Sequence, residues 1–336
     1  WRLLSSPVIG QAISGDWTPT GSYTNGWGYD FYAWSETGKM WLNQKDAVNN
    51  LSAFVPGAGY LVSFEAADQT KSFVGELNSG NTVVAVTKTG TDDYAGSNLI
   101  GNPYPSGIDW NDADRTLFAD DFAYIYDRTS TVGGVTEGYL PVDGSAPDAF
   151  IAAHQGFFVI KLIDGSGNFT FTDAMRAHGG TFTKDGSIDN KLVLNLSQGN
   201  FFDQTVIRIR ENSLPERDRS DAIKMFSYNA LVPQVYSKGN DAVNFAINSI
   251  PAVTESTVIP VSLLVPANGI MTIKLDEFTG EFEHYTILLV DQKTSKIHKL
   301  SDSPAYTFEA STDDDPDRFL LKFGMVGVGE SPEADN

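Results

Sequence analysis

The stretch Ser97-Asn98-Leu99-Ile100-Gly101-Asn102-Pro103-Tyr104-Pro105 restates in fuller form the phrase Leu3-Leu4-Ser5-Ser6-Pro7 near the start of the chain. In both, an apolar pair runs into two small or polar residues and then a proline. That is the pattern of a buried strand end followed by a turn, because proline has no N–H with which to continue a ladder. If the echo is a duplication, other landmarks must recur in the same order, and they do. Asp30-Phe31-Tyr32-Ala33-Trp34 is answered by Asp121-Phe122-Ala123-Tyr124-Ile125-Tyr126, Gly59-Tyr60-Leu61-Val62 by Gly156-Phe157-Phe158-Val159, and Phe73 by Phe169. Leu3 and Leu99, Phe31 and Phe122, and Gly59 and Gly156 are therefore expected on equivalent strands of two related β halves. The Tyr104–Pro105 bond is also the place where a cis linkage is cheap, at roughly 0.5–1 kcal/mol above trans.

Composition enters where the echo leaves off. Short Val, Ile, Phe and Thr runs are split by Gly, Asn, Asp and Ser, and helical periodicity is nearly absent, so the expected class is all-β. At 336 residues the chain exceeds the roughly 250–300 at which a single core usually stops growing. The expected organisation is a duplicated β-sandwich-like N-terminal domain over residues 1–185, with repeats of about 1–90 and 97–180. A second antiparallel β-sandwich follows over 186–325, and then a linker tail over 326–336. In the first domain strands are expected at 59–65, 70–77, 82–87, 122–126, 156–163 and 168–171. Ser35–Lys39 reads as a hairpin loop, and Asp164–Asn168 as a hairpin turn. From Lys191 the repeat vocabulary stops, and alternating runs at 191–196, 204–210, 234–236, 244–247, 258–264, 269–275, 285–291, 297–300, 305–309 and 318–323 suggest a sandwich.

Charge narrows the partners. Lys and Arg total 23 against 43 Asp and Glu, a net charge of −20, which repels polyanions and argues against nucleic acid or an anionic membrane surface. The absence of cysteine removes disulfides, thiolate metal sites and cysteine nucleophiles together. No apolar run approaches the ~18 residues of a membrane helix, so no membrane insertion is expected. Because it begins inside a strand-like phrase, the chain reads as a processed fragment with a region missing upstream.

Four further groups of residues carry a resemblance: Asn102-Pro103-Tyr104-Pro105 with Ile108-Asp109-Trp110; Gln155-Gly156-Phe157-Phe158-Val159; Phe169 to Arg176; and Asp221-Ala222-Ile223-Lys224-Met225-Phe226. As a set, they resemble a region common in surface and secreted proteins of Bacteroidetes, where it precedes a C-terminal sorting domain of the type IX secretion route. The ending Arg318 to Gly324 with Val326-Gly327-Val328-Gly329-Glu330 is similar to the last strand and linker before that domain, which this chain lacks. The resemblance implies an extracellular or bacterial cell-surface location and says little about activity.

The search for chemistry returns mostly negatives. His154, His178, His284 and His298 are far apart and without metalloprotease spacing, and no nucleophile elbow or phosphate loop appears. Asp120-Asp121 and Asp92-Asp93 read as solvated loops, since sequence neighbours on a strand point to opposite faces. Calcium is the one cofactor to carry, with Asp313, Asp315 and Asp317 as candidate oxygen ligands in an acidic loop that lacks the EF-hand pattern. The most unusual stretch is Trp17 to Trp41, where Trp17, Tyr23, Trp27 and Tyr29 lie in or beside a Gly- and Thr-rich loop. Flat rings projecting from such a loop can stack on sugars; the alternative is that they pack onto the loop itself. The expected function is a non-enzymatic module, adhesive or spacing, with carbohydrate or another surface protein as partner. The competing reading is an accessory region of a secreted polysaccharide-degrading enzyme whose catalytic domain lies outside this chain.

Overall fold

The structure, a computed structural model, describes residues 1–20, 30–63, 71–92, 94–127, 130–131, 134–178, 190–227 and 229–325. The chain is all-β; among the described residues the only helical elements are short 3-10 turns. It divides into two compact units, Trp1–Asp127 with Tyr139–Gly186, and Arg128–Gly138 with Ser187–Asn336. The first unit is thus not one continuous stretch of sequence. The tail read as a linker, 326–336, lies outside the described residues.

In chain order the strands up to the end of the first unit are β1 (Arg2–Leu4), β2 (Asp30–Ser35), β3 (Met40–Asn43), β4 (Tyr60–Ser63), β5 (Thr82–Lys88), β6 (Ser97–Gly101), β7 (Gly107–Asp109) and β8 (Phe122–Asp127). They continue with β9 (Ser130–Thr131), β10 (Gly134–Thr136), β11 (Gly138–Asp143), β12 (Phe150–Ile151), β13 (Gly156–Ile160), β14 (Gly165–Phe171) and β15 (Arg176–Ala177). Two four-stranded sheets share one topology: β1-β4-β2-β3 and β6-β13-β8-β11. Leu3 pairs Leu61 in one sheet, and Leu99 pairs Phe158 in the other.

The two sheets are joined by contacts that mirror each other. Leu4 bridges Gln155, and Ile100 bridges Ala58. Ser5 N–H donates to His154 O at 2.8 Å, and Gly101 N–H donates to Gly57 O at 2.9 Å. Close approach explains the glycine that starts the landmark in each half. A Cβ on Gly59 would lie 2.5 Å from Ile100 O, and one on Gly156 2.8 Å from Leu4 N. The halves also exchange a strand pair, because β5 of the first pairs along its whole length with β14 of the second. Asp164–Asn168 is therefore not a hairpin turn: Gly165 to Asn168 already belong to β14, whose partner comes from the other half.

Each sheet covers its own core. Phe31, Phe54, Tyr60, Val62 and Trp17 pack together in the first half. Trp110, Phe118, Phe157, Val159, Phe169 and Phe171 pack in the second, where β5 also contributes Val84 and Val86. Among the described residues of 70–77, no strand forms. The Gln11 side chain accepts the Val74 N–H at 2.8 Å, taking the place of a ladder partner, and only Leu77 bridges Val8. Every peptide bond described, Tyr104–Pro105 included, is trans.

The second unit contains β9 and β10 together with β16 (Lys191–Gln198), β17 (Phe201–Ile209), β18 (Ala222–Ile223), β19 (Gln234–Lys238), β20 (Asn244–Ile250), β21 (Val258–Leu264), β22 (Gly269–Phe278), β23 (Tyr285–Asp291), β24 (Lys296–Lys299), β25 (Ala305–Ala310) and β26 (Phe319–Met325). They form one sheet, ten strands in the order β24-β23-β26-β21-β19-β20-β17-β16-β22-β25, with β18 on β20, β10 on β17 and β9 on β10. The pairing is antiparallel except where β17 meets β20 and β10, both parallel. The sheet curls over itself until its ends touch: His298 of β24 lies 5.2 Å from Tyr306 of β25, and Phe308 of β25 lies 4.9 Å from Phe319 of β26, edge to face. Alternate residues of most of these strands, among them Leu194, Ile207, Val261, Ile273, Leu289 and Leu321, fill the interior of the curl.

Candidate functional site

Alternation along β2 decides which aromatic side chains are left for a surface. Phe31 and Ala33 point into the first-half core, so Tyr32 and Trp34 stand on the opposite face of the sheet. The β2–β3 hairpin then places Trp34 directly across from Trp41, with ring centroids 5.1 Å apart. This face meets the other sheet of the unit. Phe158 of β13, only 2% exposed, receives Trp34 at 5.6 Å and Trp41 at 5.9 Å, both edge-on, and Tyr139 of β11 at 5.8 Å. Trp34, Trp41 and Tyr139 are themselves half-buried, because they sit at the rim of this packing and not at its centre.

A fourth ring completes the rim. Tyr94, 53% exposed, lies 6.4 Å from Trp34. It is carried by the connection between β5 and β6, which also joins the two halves. Asp92 Oδ1 accepts the Tyr94 N–H at 3.0 Å, and the Trp34 indole donates to Ser97 O at 2.6 Å, at the start of β6. Glu36, buried in the turn just after β2, grips both ends of this connection. Its carboxylate accepts from Thr89 N at 2.9 Å, Thr89 Oγ1 at 2.6 Å, Gly96 N at 2.9 Å and Lys39 Nζ at 2.5 Å. Burial pushes the Glu36 carboxyl up, but the hydrogen bonds from Lys39, Thr89 and Gly96 outweigh it and hold the group at about 2. Gly96 adopts φ +84, and a Cβ there would lie 2.5 Å from Lys161 O, so the loop's end is set by backbone contact as well.

The residues expected to touch a ligand fall elsewhere. Trp17 is 3% exposed: its indole donates to Ser72 O at 2.9 Å while its ring stacks on Phe73 at 4.6 Å and meets Phe54 edge-on. It is a core residue, because the 3-10 turn at Gly15–Trp17 rolls its side chain inward. Tyr23, Trp27 and Tyr29 lie outside the described residues. Asp317 is occupied by Lys238 Nζ at 2.5 Å and Ser262 Oγ at 2.5 Å, and Asp315 Oδ1 accepts the Asp317 N–H at 3.0 Å. Asp313 is exposed, and no three acidic or histidine side chains converge on a metal position among the described residues.

Other acids also differ from the solvated reading. Asp120 is fully buried, accepting the Phe122 N–H and the Tyr124 hydroxyl at 3.0 Å, and Asp121 pairs with Arg115 at 3.3 Å. His154 is half-buried against Phe73, which lies 5.6 Å away and nearly parallel.

The family described as Domain of unknown function (DUF8693) matches residues 1–323. The chain belongs to that family. No curated protein and no solved structure matches the chain. The family's match takes in Trp34, Trp41, Tyr94, Tyr139 and Glu36, and its description assigns them no activity.

Proposed function

We propose that this family member is a non-enzymatic glycan-binding module of an extracellular or bacterial cell-surface protein, and that Trp34, Trp41, Tyr94 and Tyr139 form its contact surface. The observation that carries the reading is the half-exposed aromatic rim at the junction of the two sheets. Such rings offer large apolar faces at small entropic cost, and sugar rings have an apolar face to match. The net charge of −20 favours neutral polysaccharides over acidic ones, because like charge opposes approach. The resemblance to regions preceding type IX sorting domains supports the location, and with it the adhesive role. The competing role, accessory region of a polysaccharide-degrading enzyme, uses the same surface and differs only in what is attached to it.

Native affinity electrophoresis through gels containing neutral polysaccharides tests the reading. Wild type is expected to be retarded by at least one of them, and Trp41→Ala to migrate freely with its melting temperature within a few degrees of wild type. Equal mobility of both proteins in every gel would remove the glycan reading and leave a spacer.

A further inference from the structure

We infer that Glu36 is the positioning residue of this rim: it brackets the connection between the halves so that Tyr94 is held ready against Trp34. The inference rests on the glycan reading for its functional meaning and on geometry for its content. The connection runs from Thr89 to Gly96, and its two ends are joined through a single carboxylate, which takes three hydrogen bonds from them. Glu36 belongs to the turn after β2, the strand that carries Trp34. One side chain therefore fixes the loop to the platform beside which Tyr94 must stand. Lys39 closes the arrangement from the other side, donating to Glu36 at 2.5 Å and to Thr89 O at 2.8 Å.

More than half exposed, Tyr94 has too little packing of its own to hold one position. A ring in that situation is ordered by its backbone, and here the backbone is ordered by a buried charge accepting from N–H groups, the strong class of hydrogen bond. Holding the ring before the ligand arrives removes an ordering cost from binding. Glu36 touches no ligand in this scheme; it acts through Tyr94.

Glu36→Ala removes the carboxylate and with it all three loop bonds. Two readouts on the full chain separate the possibilities: nuclear Overhauser cross-peaks between the Tyr94 and Trp34 rings, and mobility in the polysaccharide gel that retards wild type. The expected result is disappearance of the cross-peaks together with retention weakened by roughly three- to ten-fold, as for one side chain left to be ordered on binding. Tyr94→Ala is expected to weaken retention by at least as much, and Glu36→Ala to add little on top of it. Cross-peaks that survive in Glu36→Ala would overturn the inference whatever the gels show, and their disappearance with retention unchanged would overturn it equally. If wild type is retarded in no gel, the glycan reading falls and takes the binding role of Glu36 with it, while the cross-peaks still report whether the clamp exists. Should Glu36→Ala not fold, Glu36→Leu fills the same space without an acceptor, and the same pair of readouts applies.

Discussion

Asp291 and Arg318 form a buried two-pronged ion pair, with Nε donating to Oδ1 at 2.8 Å and Nη2 to Oδ2 at 2.6 Å. Asp291 ends β23 and Arg318 immediately precedes β26, while the Tyr306 hydroxyl of β25 donates to the same carboxylate at 3.0 Å. Arg318 also reaches Glu309 O at 2.8 Å and lies 4.6 Å over the Phe308 ring. The two ends of the curled sheet are thus fastened through one guanidinium.

Removing one member leaves the other buried and uncompensated, so Asp291→Ala is expected to destabilise the second unit by about 3–5 kcal/mol. Asp291→Leu combined with Arg318→Met should cost less than the single change, since an apolar pair carries no desolvation penalty. Amide exchange of β23 and β26 under rising urea measures both. A double variant less stable than the single one would contradict this account of the fastening.

Acid should loosen both units over a defined window. Asp291 is pushed up by burial but lowered further by Arg318, Thr294 and Tyr306, and lies at about 2 against an ordinary 3.8. Glu36 lies at about 2 against an ordinary 4.5. A folded-state pKa below the unfolded one favours the ionised form in the fold. The stability these groups contribute is therefore complete above about pH 4.5 and is lost as the pH falls toward 2. Melting temperature followed by tryptophan fluorescence reports the first unit, because all six Trp lie at or before Trp110. Glu36→Gln is expected to flatten its dependence between pH 4.5 and 2; an unaltered slope would contradict the assignment to Glu36.

The close approaches at the junction of the halves predict a contrast among glycines. Gly59→Ala and Gly156→Ala place a methyl within 2.5 and 2.8 Å of backbone atoms, and each is expected to cost about 1–3 kcal/mol or more. Gly138→Ala meets nothing within 4 Å and serves as the neutral control. Urea denaturation of the three variants makes the comparison.

Trp17→Ala is expected to lose about 3–5 kcal/mol, as for truncating a buried aromatic. Tyr94→Ala, removing an exposed ring, should change stability by roughly 0.5 kcal/mol or less. If Trp17→Ala abolished glycan retention at full stability, the core placement of Trp17 would be contradicted.

What the sequence makes legible depends on how local its cause is. The runs from Lys191 to Phe323 are legible because alternation is imposed by the strand itself. Leu3 with Leu99 and Gly59 with Gly156 are legible because those residues occupy matching places in two sheets of one topology. The match of Phe31 with Phe122 is off by one residue: Phe31 pairs Val62, and the register of Phe158 with Tyr124 puts Ala123, not Phe122, in the matching place. Both faces of β8 are buried there, so a phenylalanine on either side satisfies the pattern and hydrophobicity alone does not set the register.

The rim is half legible. A hairpin over Ser35–Lys39 already implies that Trp34 faces Trp41, and alternation with Phe31 and Ala33 in the core puts Trp34 on the opposite face. What alternation does not contain is the second sheet, whose Phe158 meets these rings and leaves them only partly covered. Tyr94 shows only a local turn through Asp92, whose carboxylate accepts its N–H, while the bonds that tie its loop to β2 come from Glu36, far away in sequence. Trp17 stands out for its neighbours in a glycine-rich loop, while its own position is decided by Phe54, Phe73 and the carbonyl of Ser72.

The most direct test of the glycan surface is to follow the six indole N–H resonances while titrating the full chain with an oligosaccharide cut from the polysaccharide that retards it. The account predicts that the Trp34 and Trp41 signals move with ligand while those of the buried Trp17 and Trp110 stay in place. Shifts confined to other tryptophans, with Trp34 and Trp41 unmoved at saturation, would contradict it.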